Sequence, residues 1–226
     1  MKILLVDEDE ELRALIAFTL GQSGYESYVA TDRASALQSL ELESPALALI
    51  DQGPLLDATE LCRELRRRSR LPIMMLNTHD REEDLLAAFD AGADDYLRKP
   101  FSPRVLLARV KALLRRVDEA PIKKLAVGQV SLDVDEHTLQ IGSSRALRLT
   151  PLEFAAIHLL LSTPGRTVTV ARLLAHLWGQ GATHKQRMLK QLIYRLRKKI
   201  EVDPASPQLI VTTPHAGYRF ETESQG

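Results

Sequence analysis

Ala46-Leu47-Ala48-Leu49-Ile50-Asp51 is an unbroken apolar run closed by a single carboxylate. A run this short, aliphatic throughout and ended by a charge, reads as a buried strand. Ile3-Leu4-Leu5-Val6 repeats the pattern and ends at Asp7-Glu8, and the short segment Asp95 to Leu97 is soon followed by Lys99-Pro100. Ligands of open parallel α/β sheets bind at the carboxyl ends of the strands, which is where this chain places its isolated charges. Three carboxylates, Asp7, Glu8 and Asp51, with one lysine, Lys99, suggest a pocket for Mg2+ and a phosphoryl group. In such a pocket the metal offsets the mutual repulsion of the acids, Asp51 serves as nucleophile, and Lys99 brings a cation to the phosphoryl oxygens.

Outward from Asp51, short β-like runs alternate with helical patterns. Ile3 to Val6 precedes Glu10 to Leu20, Ser27 to Ala30 precedes Arg33 to Leu42, and Ala46 to Ile50 precedes Asp57 to Arg68. Pro72 to Leu76, Glu82 to Ala91, Asp95 to Leu97 and Pro103 to Arg116 complete five βα units, which predict a parallel sheet covered on both faces. Asp57 with Glu60 reads as a capping box, Ser102-Pro103 as a cap before an N1 proline, and Asp9 as the cap of the first helix. The basic run Arg63 to Arg70 reads as a helix end, where cations meet the negative end of the dipole.

Val117 to Lys124, polar and carrying Pro121, breaks the alternation and reads as a short linker. Domains are therefore expected at 1–117 and 125–226, with a linker at 118–124. The second half predicts short strands at Leu125 to Val134, His137 to Ile141 and Ala146 to Leu149. A helix should follow, capped by Thr150, started by Pro151, boxed by Glu153 and stapled by Leu149 to Phe154. Further helices are expected from Val170 to Trp178 and from His184 to Glu201, then a hairpin of Leu209 to Thr213 with Tyr218 to Glu221.

The net charge of zero conceals a division: residues 1–122 carry 16 Lys and Arg against 22 Asp and Glu, whereas residues 123–226 carry 14 against 8. An acidic module joined to a basic one suggests a polyanion partner for the latter. No apolar run approaches the ~20 residues of a bilayer span, and the N-terminus enters a strand pattern directly. A cytoplasmic protein without a membrane partner is the expectation. The single cysteine, Cys62, excludes an intramolecular disulfide and a thiolate metal cluster and reads as packing.

Seven basic residues and no acid lie between Lys185 and Lys199. Leu189, Leu192, Ile193, Leu196 and Ile200 form a buried stripe at helical spacing, leaving Arg187, Lys190, Gln191, Tyr194, Arg195 and Lys198 on the other side. A solvated helix would mix its signs, so this face reads as a DNA surface. Gln191 and Arg195 suit base edges, and Lys185, Arg187, Lys198 and Lys199 suit phosphates.

Residues 1–116 resemble a response-regulator receiver domain through Ile3-Leu4-Leu5-Val6-Asp7-Glu8, Asp51 and Gly92-Ala93-Asp94-Asp95-Tyr96-Leu97-Arg98-Lys99-Pro100-Phe101. The resemblance implies a flavodoxin-like five-stranded parallel sheet, phosphorylation of Asp51 by a histidine kinase, Mg2+ on Asp7, Glu8, Asp51 and the Gly53 carbonyl, and a cis Lys99-Pro100 peptide. Residues 125–222 resemble the winged helix-turn-helix effector of OmpR/PhoB-type regulators, through Leu149-Thr150-Pro151-Leu152-Glu153-Phe154, Leu177-Trp178-Gly179, Tyr194-Arg195-Leu196-Arg197-Lys198-Lys199 and Gly217-Tyr218-Arg219-Phe220. That implies a dimer on direct-repeat DNA and a contact with RNA polymerase, with His215 and Arg219 of the wing added to the DNA surface.

The resemblance also implies that Tyr96 is the switch aromatic and that the fourth helix, fifth strand and fifth helix form a dimer face. Asp94, Asp95, Arg109, Lys111, Arg115 and Arg116 supply its charges, while Val105 stands where the family often has the acid of an ion pair and Leu85 and Ala87 where its basic partner is expected. Other departures are Asn77 in place of a hydroxyl residue, with Thr78 next to it, Glu8 in place of Asp, and a Gln52-Gly53-Pro54 loop one residue short. Two inputs therefore stay open, phosphorylation of Asp51 or a phosphorylation-independent receiver. An enzyme, either a flavodoxin-like redox protein or a phosphatase, is the alternative from another class; it lacks a Gly/Ser/Thr-rich loop after the first strand.

Overall fold

Strands buried on both faces need aliphatic side chains at nearly every position, and the five apolar runs of the first half form such a sheet. The computed structural model describes residues 1–54, 56–78, 81–115, 124–179 and 182–221. It divides into two compact units, residues 1–117 and 118–226. In the first, Lys2–Val6 (β1), Glu26–Ala30 (β2), Leu47–Asp51 (β3), Ile73–Asn77 (β4) and Asp95–Arg98 (β5) pair in parallel in the order β2-β1-β3-β4-β5. Helices Glu10–Gly21 (α1), Arg33–Glu43 (α2), Ala58–Arg68 (α3), Glu82–Asp90 (α4) and Pro103–Arg115 (α5) follow the successive strands.

Alternate side chains divide the core. Ile3, Leu5, Leu47, Leu49, Met74, Leu76 and Leu97 pack with Ile16 and Leu20 of α1 and with Leu106, Val110 and Leu113 of α5. Leu4, Val6, Ala48 and Ile50 are buried as well, as are Leu61, Cys62 and Leu65 of α3 and Phe89 of α4. Asp9 caps α1 by accepting from the Glu11 and Leu12 amides. The box expected at Asp57 is half made: Asp57 accepts from the Glu60 amide, but the Glu60 carboxylate turns to Arg63 and Arg67. A full box stands instead at Asp32 and Ser35.

The second unit begins with an antiparallel sheet of Lys124–Val127 (β6), Val130–Asp133 (β7), Thr138–Ile141 (β8) and Leu147–Arg148 (β9). The single strand expected from Leu125 to Val134 is thus two, because Gly128 turns the chain with φ +58°. Pro151–Leu161 (α6) carries the reciprocal Thr150–Glu153 box, and Phe154 stacks on His137 with ring centroids 4.0 Å apart. Val168–Thr169 (β10) and Val170–Trp178 (α7) come next, then a 3-10 turn Ala182–Lys185 and Gln186–Ile200 (α8). The third helix therefore starts later than His184, the first residues being wound more tightly. Ile210–Thr213 (β11) and Gly217–Phe220 (β12) form the hairpin, with β10 on the outer side of β12.

The two-residue β10 has no periodic signal of its own, and Gly217 admits it. A Cβ on Gly217 would lie 2.0 Å from the Val168 carbonyl oxygen and 2.9 Å from Thr169 Cα. Only glycine allows so close a backbone approach.

Candidate functional sites

Register brings the expected charges together at one edge of the sheet. Val6 pairs with Ile50 and Asp51 with Leu76, so the residues that leave β1, β3 and β4 emerge side by side. Asn77 pairs with Arg98, and the Lys99 amide donates to the Asn77 carbonyl oxygen at 2.7 Å. The Lys99-Pro100 peptide is cis, as the family resemblance implies. The Lys99 ammonium then reaches Asp51 Oδ1 at 2.7 Å.

Asp7 is fully buried and Asp51 nearly so. Burial pushes the Asp7 carboxyl up to about 6, assisted by the Asp51 charge and opposed by the Asp9 amide, which donates to Asp7 Oδ1 at 2.9 Å. Burial also raises Asp51, against the pull of Lys99. Glu8 lies over Gly53, where a Cβ would meet Glu8 Oε2 at 2.7 Å. Asn77 is buried beneath the cleft, and Thr78 is exposed at its rim.

Among the described residues no three acids stand close enough to enclose a metal ion. Mg2+ keeps several waters and uses one or two protein carboxylates. The donors fit that demand: Asp7 Oδ2 is buried without a hydrogen-bond partner, beside the Asp51 charge. Glu8 lines the same cleft against Gly53, and its charge adds to the rise of Asp51.

The cleft has a volume of about 850 Å3 and extends past Lys99 to Asp57, Thr59, Arg81 and Asp84. Sequence reading missed Arg81 and Asp84, which pair across i,i+3 at the start of α4. Their spacing was the available signal.

The expected dimer charges separate into two groups. Asp94 is fully buried, pairs with Arg66 at 2.6 Å and accepts from the Ile73 amide at 2.9 Å. Asp95 is likewise enclosed and pairs with Arg109 at 3.0 Å within the same domain. These carboxylates brace the α3, β4, β5 and α5 ends, which corrects the expectation that they face a partner. Lys111 and Val105 are exposed and Leu85 is half-buried. Tyr96 is turned inward and buried. Arg116, the linker up to Lys123 and the Arg115 side chain lie outside the described residues. Arg63, Arg66, Arg67 and Arg68 all pair with acids of the same domain, in keeping with a helix end.

On α8 the apolar stripe is buried as expected, with Met188 added. Arg187, Lys190, Tyr194 and Lys198 are exposed at spacings of three and four residues and share one face. Lys198 lies over the Tyr194 ring, 4.8 Å from its centroid. Gln191 and Arg195 are half-buried beside that face.

Of the expected phosphate contacts, Lys185 is withdrawn by burial, and Lys199, though exposed, is tied to its own domain. Lys185 is 3% exposed, with its ammonium 5.5 Å from the Trp178 ring centroid. It sits in the turn between α7 and α8, where a cation suits both the aromatic face and the negative end of α7. Lys199 donates to Glu153 Oε2 at 2.6 Å and to the Arg148 carbonyl at 3.1 Å, so it fastens α8 to the capping box of α6. Arg197, unassigned by the sequence, holds the Ile210 carbonyl at 2.7 Å and Thr212 Oγ1 at 2.9 Å. At the wing, His215 is exposed at the hairpin tip with φ +59°, and Arg219 pairs with Glu221.

A doubly wound domain with carboxylates and a lysine in one cleft at its strand ends, followed by a winged helix with a basic helix face, defines the class of two-domain signalling regulators. Residues 3–111 match the family described as response regulator receiver domain, and residues 144–220 that of transcriptional regulatory protein, C terminal. The chain is 36% identical over 230 residues to a probable transcriptional regulator, ycf27, of Porphyridium aerugineum, covering 97% of this chain and 95% of the relative. It is 35% identical to the DNA-binding response regulator MtrA of Mycolicibacterium smegmatis, with 96% of each covered. The crystal structure of DrrB, a Thermotoga maritima OmpR/PhoB homologue, aligns with TM-score 0.52 and 30% identity over 97% of this chain and 98% of that one. The chain belongs to the OmpR/PhoB family of DNA-binding response regulators. Among the described residues, no helix is long and apolar enough to cross a membrane.

Proposed function

We propose that this regulator binds direct-repeat DNA as a dimer through the exposed α8 face and that Asp51 accepts a phosphoryl group from a sensor histidine kinase. The DNA reading rests on Arg187, Lys190 and Lys198, which with the Tyr194 ring face solvent along one helix face with no acid among them. Arg187, Lys190 and Lys198 bind phosphates, Gln191 and Arg195 read base edges, and His215 and Arg219 follow from the wing. Contact with RNA polymerase is part of this reading, on the strength of the family.

The phosphoryl reading rests on the Lys99 to Asp51 contact of 2.7 Å above a buried carboxylate. An Asp51 oxygen attacks phosphorus, the P–N bond of a phosphohistidine breaks, and the imidazole leaves with its electron pair. Lys99 is then placed to exchange the carboxylate for the phosphoryl oxygens. Asp7 and Asp51 would hold Mg2+, with Glu8 and the Gly53 backbone at its margin. When bound, the metal supplies charge neutralisation for the transferred group. Asn77 offers an amide donor where relatives offer a hydroxyl, with Thr78 beside it. Tyr96, inward already, and the apolar Leu85 and Val105, with Lys111 and Arg109 beside them, make the face of α4, β5 and α5 the dimer surface on DNA.

The test is operator binding by the wild type and Asp51→Ala, each with and without Mg2+ and beryllofluoride. Tighter binding of the treated wild type alone is the expected result. Equal binding in all four cases supports the phosphorylation-independent alternative. Absence of DNA binding with a steep salt dependence would remove the α8 reading.

A further inference from the structure

Among the described residues of the second unit, Phe154, Trp178, Tyr218 and Phe220 are buried, whereas Tyr194 is 45% exposed at the middle of α8. A single exposed ring is ordinary on a protein surface. This one stands inside a row of cations. Lys190 and Lys198 lie one turn away on either side and Arg187 a further turn back, all exposed and with no acid among them. The Lys198 ammonium sits over the ring, 4.8 Å from its centroid. That contact occupies one face of the ring and restrains its rotation, so the other face is preset for whatever the row of cations meets.

A ring on a helix in the major groove meets the edges of the bases, because their faces remain stacked. Adenine, guanine and cytosine offer polar donors and acceptors there, and thymine alone adds an apolar group, its C5 methyl. A phenol ring against a purely polar edge would displace water without replacing its hydrogen bonds. Against a methyl group it buries apolar surface on both partners.

Resting on the DNA reading of α8, we infer that Tyr194 is a specificity-determining residue that packs its free ring face on the C5 methyl of a thymine in each half-site. The two kinds of side chain on this face then divide the work. Arg187, Lys190 and Lys198 give affinity for any duplex, and Tyr194 gives a preference for thymine at one position.

A duplex enriched by the full chain from a randomised pool is the probe. Replacing its thymines by uracil, one position at a time, deletes a methyl group and keeps every hydrogen-bonding atom of the edge. At one position per half-site the wild type should bind about fourfold more weakly, and elsewhere without change. Tyr194→Ala should bind the thymine duplex about tenfold more weakly and lose the uracil penalty, which closes a double-mutant cycle. Tyr194→Phe should keep both the affinity and the penalty. Absence of a uracil penalty at every position overturns the proposal, as does a penalty that persists in Tyr194→Ala. Weaker binding by Tyr194→Phe with uracil fully tolerated gives the hydroxyl to a phosphate instead and also overturns it. Arg187→Ala with Lys190→Ala in one chain separates this contact from the reading beneath it: a lower salt slope without a uracil penalty defeats the thymine contact alone, and an unchanged slope removes both.

Discussion

The receiver cleft and the α8 face each concentrate charge, but in opposite physical states. In the cleft, Asp7 and Asp51 are withdrawn from water and both carboxyls are raised by that burial, a cost that Lys99 offsets only in part. On α8, Arg187, Lys190 and Lys198 are exposed and of one sign, a surface that costs little alone and that, on the proposed DNA reading, would gain by releasing counterions. One site is primed by desolvation and the other by exposure. On the proposed reading, a ligand would stabilise the first domain, whereas the second would exchange one ionic atmosphere for another.

The contrast requires a scaffold that holds α8 outward, and Gly217→Ala should break it most severely. Its Cβ meets backbone, which cannot rotate away, so the effector domain should lose about 4 kcal/mol in denaturant unfolding while the receiver transition stays put. Next in size is the paired Arg187→Ala and Lys190→Ala variant. Removal of two phosphate contacts should loosen DNA binding about thirtyfold at moderate salt and lower the salt slope by about two. An unchanged slope would show that this face is not the one on DNA.

Asp7→Asn addresses the buried side. The folded-state value of about 6 lies above the ordinary 3.8, so the contribution of Asp7 favours folding at pH below the ordinary value and is lost as pH rises through about 6. At pH 7 the ionised carboxylate is destabilising, and Asp7→Asn should raise receiver stability by about 2 kcal/mol, an advantage that fades on acidification. A melting series between pH 4 and pH 8, with about one unit spacing, reads this directly. The smallest expected effect is that of Lys185→Met: the salt slope of DNA binding should not change, because the ammonium is turned to Trp178 rather than to phosphate. A slope lower by about one would return Lys185 to the DNA surface.

Periodicity made most of this architecture legible. The βα alternation located every receiver strand within a residue or so, since strands buried on both faces cannot hide their composition. Charges at strand ends were legible for the same reason: Asp7, Asp51 and Lys99 are conspicuous against apolar runs. What escaped depends on contacts distant in sequence. Asp94 and Asp95 looked like surface charges, and only the fold brings Arg66 and Arg109 to them. Lys185 and Lys199 shared the sign of their neighbours on α8, yet Lys185 is buried over Trp178 and Lys199 is paired with Glu153. The two-residue β10 exists because of a glycine some fifty residues away. Sign and spacing give the composition of a surface; burial sorts its members.

The contact between Glu8 and Gly53 makes two distant positions a single unit of variation. The acid at 8 is one methylene longer than an aspartate, and its end occupies the volume that a side chain at 53 would need. Enlarging position 53 would push the Glu8 carboxylate aside without disturbing the sheet, while shortening position 8 would open a void that a bulkier residue at 53 fits. The reach of this acid into the cleft is thus set from the β3 loop, by what that loop leaves out.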